Sequence, residues 1–358
     1  LLSYSFIVYL RYKKMEKESK DSSSQSNFYS GVMYGILNGL MVIPISVSFC
    51  AIIFNNTHFQ IYMPQLVKLV LFSSVVHQIC FSRFSSLPFA IGQVQDAGLI
   101  FLSAMAGSIV RSCSPGDSKS HQCEEKNILP TTLAVLSIAT FLLGVMLIVV
   151  SKLRLASLIQ YIPMPVIGGY LAFIGFYCGQ AGLAMMAGVV GVSSIADWGL
   201  FFTPQALRLL LPGVLVGCCM YLLLRRIRSP YVLPMCMAAV LLGFYSLLLL
   251  TGTSLQQARD AGWIAHLSPL EPFFQSWQLY GLTSSPSLIK WALLPQQAVM
   301  WMGMFLVVAF SSSLDVAAIE MELGLPLDYN KELLTVGMSN VASGLLGGYT
   351  GSYIFSQT

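Results

Sequence analysis

Apolar runs long enough to cross a bilayer recur along the chain, separated by short polar breaks. A membrane helix takes about 20 predominantly apolar residues. By that measure the runs predict spans at about 32–54, 61–81, 128–150, 166–190, 206–224, 231–250 and 299–319, with a shorter one at 333–346. One stretch breaks the pattern. Residues 80–98, CFSRFSSLPFAIGQVQDAG, are too polar for a span and too apolar for a loop. They predict a broken membrane helix, extended over 82–87 and helical from near Pro88 to about 110. Proline suits a first helical turn, where its missing N–H would be unsatisfied anyway, and it pushes Leu87 toward an extended backbone. A helix that begins inside the bilayer leaves free N–H groups and about half a positive charge where water is scarce. That favours a bound anion or polar solute. Residues 347–358, GGYTGSYIFSQT, predict a second break, with extended backbone and a helix onset near Ser356. A simple loop before a further helix is the plainer reading of this second stretch. Two broken elements in corresponding halves point instead to an inverted-repeat transporter with its site between them.

Composition agrees with the pattern. Only 9% of the 358 residues are charged and the mean hydropathy is +0.72, against about 25% charged in soluble domains. The chain is therefore expected to be an all-α polytopic membrane protein. Its net charge of +4 comes from basic clusters at membrane edges, which read as topology rather than nucleic-acid binding. With the N-terminus in the cytoplasm, 12 basic residues fall inside, among them Arg11, Lys152, Arg225 and Lys331, and 6 fall outside. Residues 11–29 form a charged, Ser-rich linker, 155–165 an amphipathic interfacial piece, and 251–295 a loop with interfacial aromatics. The same orientation puts the Asn55 sequon and the 111–127 loop on the non-cytoplasmic side. Cys113 and Cys123 share that loop and can pair if it faces an oxidising compartment. The other six cysteines sit in apolar runs and read as packing. No CxxC or paired-His spacing occurs, so no metal site and no cofactor are expected. The chain begins without Met, has no signal-peptide order of charge and apolar run, and is expected to be a piece of a longer protein.

Few polar groups interrupt the spans, and each is a candidate. Asp96, flanked by Gln93 and Gln95, is expected one to two turns into the half-helix; an acid at that depth marks a pathway or a tether. Asp315 follows Ser311, Ser312 and Ser313, and Ser311 shares its helix face at a spacing of four. A carboxylate beside hydroxyls can carry a proton or hold Na+. Its bland alternative is a helix-end charge reaching water. Glu320 and Glu322 read as ordinary loop acids.

With these residues in view, the chain resembles the sulfate permease family of anion transporters. IPISVSF at the end of the first span, SRFSSLPFA, YIPMPVIGGYLAFIGF and LDYNKELLTVGMSNVASGLLGGYTGSYIFSQT are similar to that family's motifs. The last two, with SSSLDVAAIE, are similar to a fungal and protist subgroup linked to vacuolar membranes. The resemblance covers nearly everything from residue 30 onward. It implies fourteen segments in two inverted repeats of seven, with broken third and tenth segments, truncated here at the tenth. It implies a cytoplasmic linker (1–29), a core domain (30–154 and 298–358, segments 1–4 and 8–10), a gate domain (155–252) and a non-cytoplasmic loop (253–297). The solute would sit between the third and tenth segments, lined by Phe49, Pro88, Phe89, Ala90, Ser352, Phe355, Ser356 and Gln357, with Ser311, Asp315 and Asp96 handling a coupling ion, Na+ or H+. A homodimer of the full-length protein is expected. Two positions depart from the family. Ile45 stands where Gln is frequent, and Gln357 stands where many anion-binding members have Arg. Losing that fixed cation favours a cation-coupled mechanism. Counting back from Asn330 puts the family's usual acid at Ser311, with Asp315 one turn later.

The expected function is secondary transport of small inorganic anions such as sulfate or bicarbonate by alternating access of core against gate. An uncoupled channel or a voltage-responsive motor on the same fold is the alternative. An enzyme needs clustered catalytic groups, and His58, His77, His121 and His266 are scattered. Lacking segments eleven to fourteen, the polypeptide alone is not expected to transport.

Overall fold

The computed structural model describes residues 24–87, 90–113, 124–155, 164–189, 192, 195–227, 229, 231–264, 272–281, 286–323 and 326–354. The apolar runs fold as helices α1 (Ser24–Ile53), α2 (Met63–Phe84), α3 (Asp96–Cys113), α4 (Glu125–Lys152), α5 (Met164–Ala187), α6 (Pro204–Arg226), α7 (Val232–Thr251), a short α8 (Leu255–Asp260), α9 (Ala298–Leu323) and α10 (Tyr329–Leu345). Local chemistry sets several ends. The Thr203 hydroxyl accepts from the Ala206 N–H at the start of α6, and the Asp328 carboxylate accepts from the Asn330 and Lys331 N–H groups at the start of α10. Gly252, at φ 65°, closes α7 in the left-handed conformation that glycine adopts without strain. Among the described residues, seven helical stretches are long and apolar enough to cross a membrane. The chain is a multi-pass integral membrane protein.

Two strands interrupt this helical fold, β1 (Gly92–Val94) and β2 (Gly351–Tyr353). They correct the expected local geometry of the first break. Helix α2 runs on through Phe84, so Ser82, Arg83 and Phe84 are helical rather than extended. The next helix begins at Asp96, not near Pro88. Residues that could have formed its first turns instead pair with β2, where their backbone groups find partners. Pro88 and Phe89 themselves lie outside the described residues, as do Phe355, Ser356 and Gln357, the linker before Ser24 and most of the expected interfacial piece at 155–165. Cys113 is disulfide-bonded, and Cys123 lies outside the described residues.

The chain divides into two compact units, Leu1–Ile174 with Leu270–Thr358, and Gly175–Pro269. In the second, Ala184, Ala187, Phe201 and Ala206 form a small buried cluster, and the rings of Phe176 and Trp198 stack at 5.9 Å. In the first, α4 and α10 cross at backbone contact. A Cβ on Gly144 would lie 2.5 Å from the Val341 nitrogen and 2.7 Å from the Gly337 carbonyl oxygen; one on Gly344 would lie 2.5 Å from the Phe141 nitrogen. Small residues allow this approach, the usual basis of helix association where lipid is as apolar as the side chains. The crossing fixes α10 as a rigid support for the strand that follows it. Gly347, at φ 78°, turns the chain out of α10 and lies against the Tyr280 hydroxyl, which donates to the Gly347 carbonyl at 2.5 Å. Burial pushes the Tyr280 hydroxyl up to about 12, so it keeps the proton it donates.

Gly344→Ala places a methyl against backbone that cannot rotate away. It is expected to cost about 1–3 kcal/mol or more, read as a lower thermal unfolding temperature of the detergent-purified protein, whereas Gly179→Ala, with open space around it, leaves that temperature unchanged.

Candidate functional site

Strands β1 and β2 are antiparallel, with Gly92 opposite Tyr353, Gln93 opposite Ser352 and Val94 opposite Gly351. The Gln95 N–H donates to the Thr350 carbonyl at 3.2 Å and the Ile354 N–H to the Ile91 carbonyl at 3.1 Å, extending the pairing at both ends. All six strand residues are buried. A two-stranded ribbon satisfies only half its backbone groups by itself. Here side chains from the neighbouring helices supply much of the rest. From α2, the Gln78 Oε1 accepts from the Gly92 N–H at 2.9 Å, the Gln78 amide donates to the Ala90 carbonyl at 3.0 Å, and the Ser74 hydroxyl accepts from the Val94 N–H at 3.3 Å. From α10, Asn340 closes a pair of bonds with Gly351, accepting from its N–H at 3.1 Å and donating to its carbonyl at 2.8 Å. The approach to β2 is held likewise. Ser73 and Ser343 both bond the Tyr349 backbone, and His77 bridges the Tyr349 carbonyl at 2.9 Å and the Ser339 hydroxyl at 3.0 Å. A carbonyl only accepts, so His77 carries a proton on Nε2.

The ribbon has two faces because strand side chains alternate. Gly92, Gly351 and Tyr353 face α2. A Cβ on Gly92 would fall inside the Phe81 ring, one on Gly351 would meet the His77 ring at 2.4 Å, and the Tyr353 and Phe81 rings lie 4.3 Å apart. Gln93, Gln95 and Ser352 belong to the opposite face, toward α9. There the Ser352 hydroxyl donates to the Ser312 hydroxyl at 2.7 Å and the Gln95 amide donates to Ser311 at 2.9 Å. The Oε1 atoms of Gln93 and Gln95 and the Thr350 hydroxyl are buried without a partner. Buried polar atoms rarely stay unpaired, so a cluster of them offers acceptor groups to an ion, a solute or water.

Asp96 and Asp315 border this face. Asp96 is the first residue of α3, where its Oδ1 accepts from the Ala97 N–H at 2.7 Å. Asp315 lies one helical turn beyond Ser311, close enough to feel the Asp96 charge. Neither carboxylate takes part in either of the ion pairs among the described residues. Asp96 was expected one to two turns inside a helix. Its place at the helix start means that the positive end of α3 already faces a carboxylate of its own.

The structure thus brings Asp96, Ser311, Asp315 and Ser352 together, with Ala90 buried next to the Gln78 amide. Phe49, on α1, is half-buried. The sequence reading missed the side chains that hold the ribbon: Ser73, Ser74, His77, Gln78, Ser339, Asn340 and Ser343. A signal existed. Ser73 and His77, Ser74 and Gln78, and Ser339 and Ser343 are each four apart, so each pair shares one helix face.

A site built where two non-helical segments meet between membrane helices is the arrangement of a transport protein. The sequence model of the sulfate permease family matches residues 28–358, and the chain belongs to that family, one of permeases rather than enzymes. The vacuolar basic amino acid transporter VSB1 of Saccharomyces cerevisiae is 25% identical over 97% of this chain. The chain spans about a third of that relative, 34% of its length. Among solved structures, the transmembrane domain of the cyanobacterial bicarbonate transporter BicA superposes with a TM-score of 0.60 at 18% identity, covering 90% of this chain and 73% of that one. The likeness shows a shared fold.

Asn340→Ala removes both bonds to Gly351 and leaves a buried N–H without its acceptor. It is expected to lower stability by about 1–3 kcal/mol for each group left unpaired, measured by thermal unfolding in detergent and by faster proteolysis after α10.

Proposed function

We propose that the chain forms the solute-binding part of a cation-dependent secondary transporter. One observation carries this reading: two carboxylates and two unpartnered amide oxygens border one buried face of the ribbon, and no basic side chain bonds either carboxylate among the described residues. Such a set of oxygens binds a cation or a proton, not an isolated anion. In the family-wide reading the solute is a small inorganic anion such as sulfate or bicarbonate, and Na+ or H+ at Asp96 and Asp315 offsets its charge. The Gln357 position, where a fixed Arg would otherwise serve, supports this dependence. Transport then follows alternating access, with the core segments moving against the gate segments in an elevator-like way. The N-terminus is cytoplasmic by the distribution of basic residues, the membrane is an endomembrane such as the vacuole, and the full-length protein is a homodimer.

A second reading concerns the solute alone. VSB1 is named for basic amino acids, and such a molecule carries both charges itself. Its cationic group would take the acid pair. The carboxylate of Asp96 at the start of α3 favours this reading, because it occupies the helix end that would otherwise attract a free anion.

Uptake of labelled sulfate, bicarbonate, oxalate, lysine and arginine into vesicles carrying the full-length protein, with and without Na+ and proton gradients, separates the readings. Gradient-driven uptake of an inorganic anion supports the first, and competition among basic amino acids supports the second. In either case Asp315→Asn is expected to reduce gradient-driven uptake at least about tenfold. Unchanged dependence on sodium and pH in that variant would refute the cation role and leave an uncoupled channel or motor.

A further inference from the structure

Glu332 is fully buried in the first turn of α10, yet no Lys, Arg or His pairs with it among the described residues. Its carboxylate instead collects hydroxyl and amide donors from both broken segments. One oxygen accepts from the Ser85 hydroxyl at 2.7 Å and from the Tyr353 hydroxyl. The other accepts from the Ser86 N–H at 2.9 Å and from the Ser86 hydroxyl. Ser85 and Ser86 follow the end of α2, at the start of the first break. Tyr353 is the last residue of β2, opposite Gly92 of β1. One side chain on α10 therefore joins the beginning of the first non-helical segment to the end of β2. Charge-assisted hydrogen bonds of this kind are about twice as strong as neutral ones. The negative charge also complements the positive end of α10.

We propose that Glu332 is a positioning residue for the transport site: it sets the register of the two broken segments from outside the solute face. This rests on the reading of the ribbon as the solute site. Glu332 belongs to the α2-side network through Tyr353, whose ring lies on Phe81, whereas Gln93, Gln95 and Ser352 face α9. It acts through the backbone it holds. The bonds to Ser85 and Ser86 fix where the chain leaves α2, and the bond to Tyr353 fixes where β2 ends. Loosening either end lets the strands shift against each other, which moves the Gln93 and Ser352 side chains relative to Ser312 and Asp315.

Two variants test this, with two readouts. Glu332→Gln keeps the volume and removes the charge. Tyr353→Phe keeps the ring on Phe81 and removes one donor. Hydrogen exchange of the 92–94 and 351–353 amides is expected to quicken about tenfold in Glu332→Gln and to a lesser degree in Tyr353→Phe, with the amides at the α4–α10 crossing unchanged. The KM for the transported solute rises several-fold in both, with a smaller change in maximal rate. Wild-type exchange at the strands, or faster exchange with wild-type KM, overturns the proposal; the second result makes Glu332 a purely structural tether. A wild-type full-length protein that takes up none of the solutes refutes the transport reading instead, and the exchange measurement alone then decides whether Glu332 holds the two segments.

Discussion

Everything in the first unit follows from one constraint: a backbone that leaves the helix inside a membrane must have its N–H and C=O groups bonded by protein. Among the described residues, the chain passes from helix into strand twice, after α2 and after α10. It answers by bringing the two departures together as a β-ribbon and lining the ribbon with polar side chains from α2 and α10. Those helices could not otherwise carry Ser73, His77, Gln78 and Asn340 without cost, since each is a buried polar group. The ribbon makes them necessary, and they make the ribbon possible. The glycine contacts of α4 with α10 add the rigidity that lets short side chains reach their targets.

The same arrangement separates support from function. The α2 face of the ribbon is packed on rings and an imidazole and bonded by side chains of α2 and α10. The α9 face keeps unpartnered oxygens at Gln93, Gln95 and Thr350, beside two acids. Stability resides on one face, and unsatisfied binding capacity on the other. A transporter needs this division, because its site must exchange partners without unravelling the segments that form it.

Much of the fold was legible in the sequence, because membrane helices announce themselves by length and apolarity. The spans around α1, α4, α6, α7 and α9 lie within a few residues of their expected ends, apart from the earlier start of α1. The start of α3 was not legible. Pro88 is a sound helix initiator by local chemistry, but the decision was made by strand pairing with residues more than 250 positions away, and no local pattern records that. This moved Asp96 from one to two turns inside a helix to its first residue, where its charge meets the helix end. Ser311 and Asp315 drew notice because their spacing of four is visible in the sequence. Glu332 was passed over because it lies just before the span expected at 333–346, and only the structure shows that it is buried under four donors.

The central claim is that the two broken segments pair in one register around the site. Cysteines at Gln93 and Ser352, in a protein otherwise freed of reactive thiols, test it most directly, because directly opposed residues on antiparallel strands lie within disulfide reach. Rapid oxidative cross-linking of Gln93→Cys with Ser352→Cys, and none of Gln93→Cys with Ile354→Cys, is the predicted result. Cross-linking of the second pair in preference to the first, or of neither, would contradict the account.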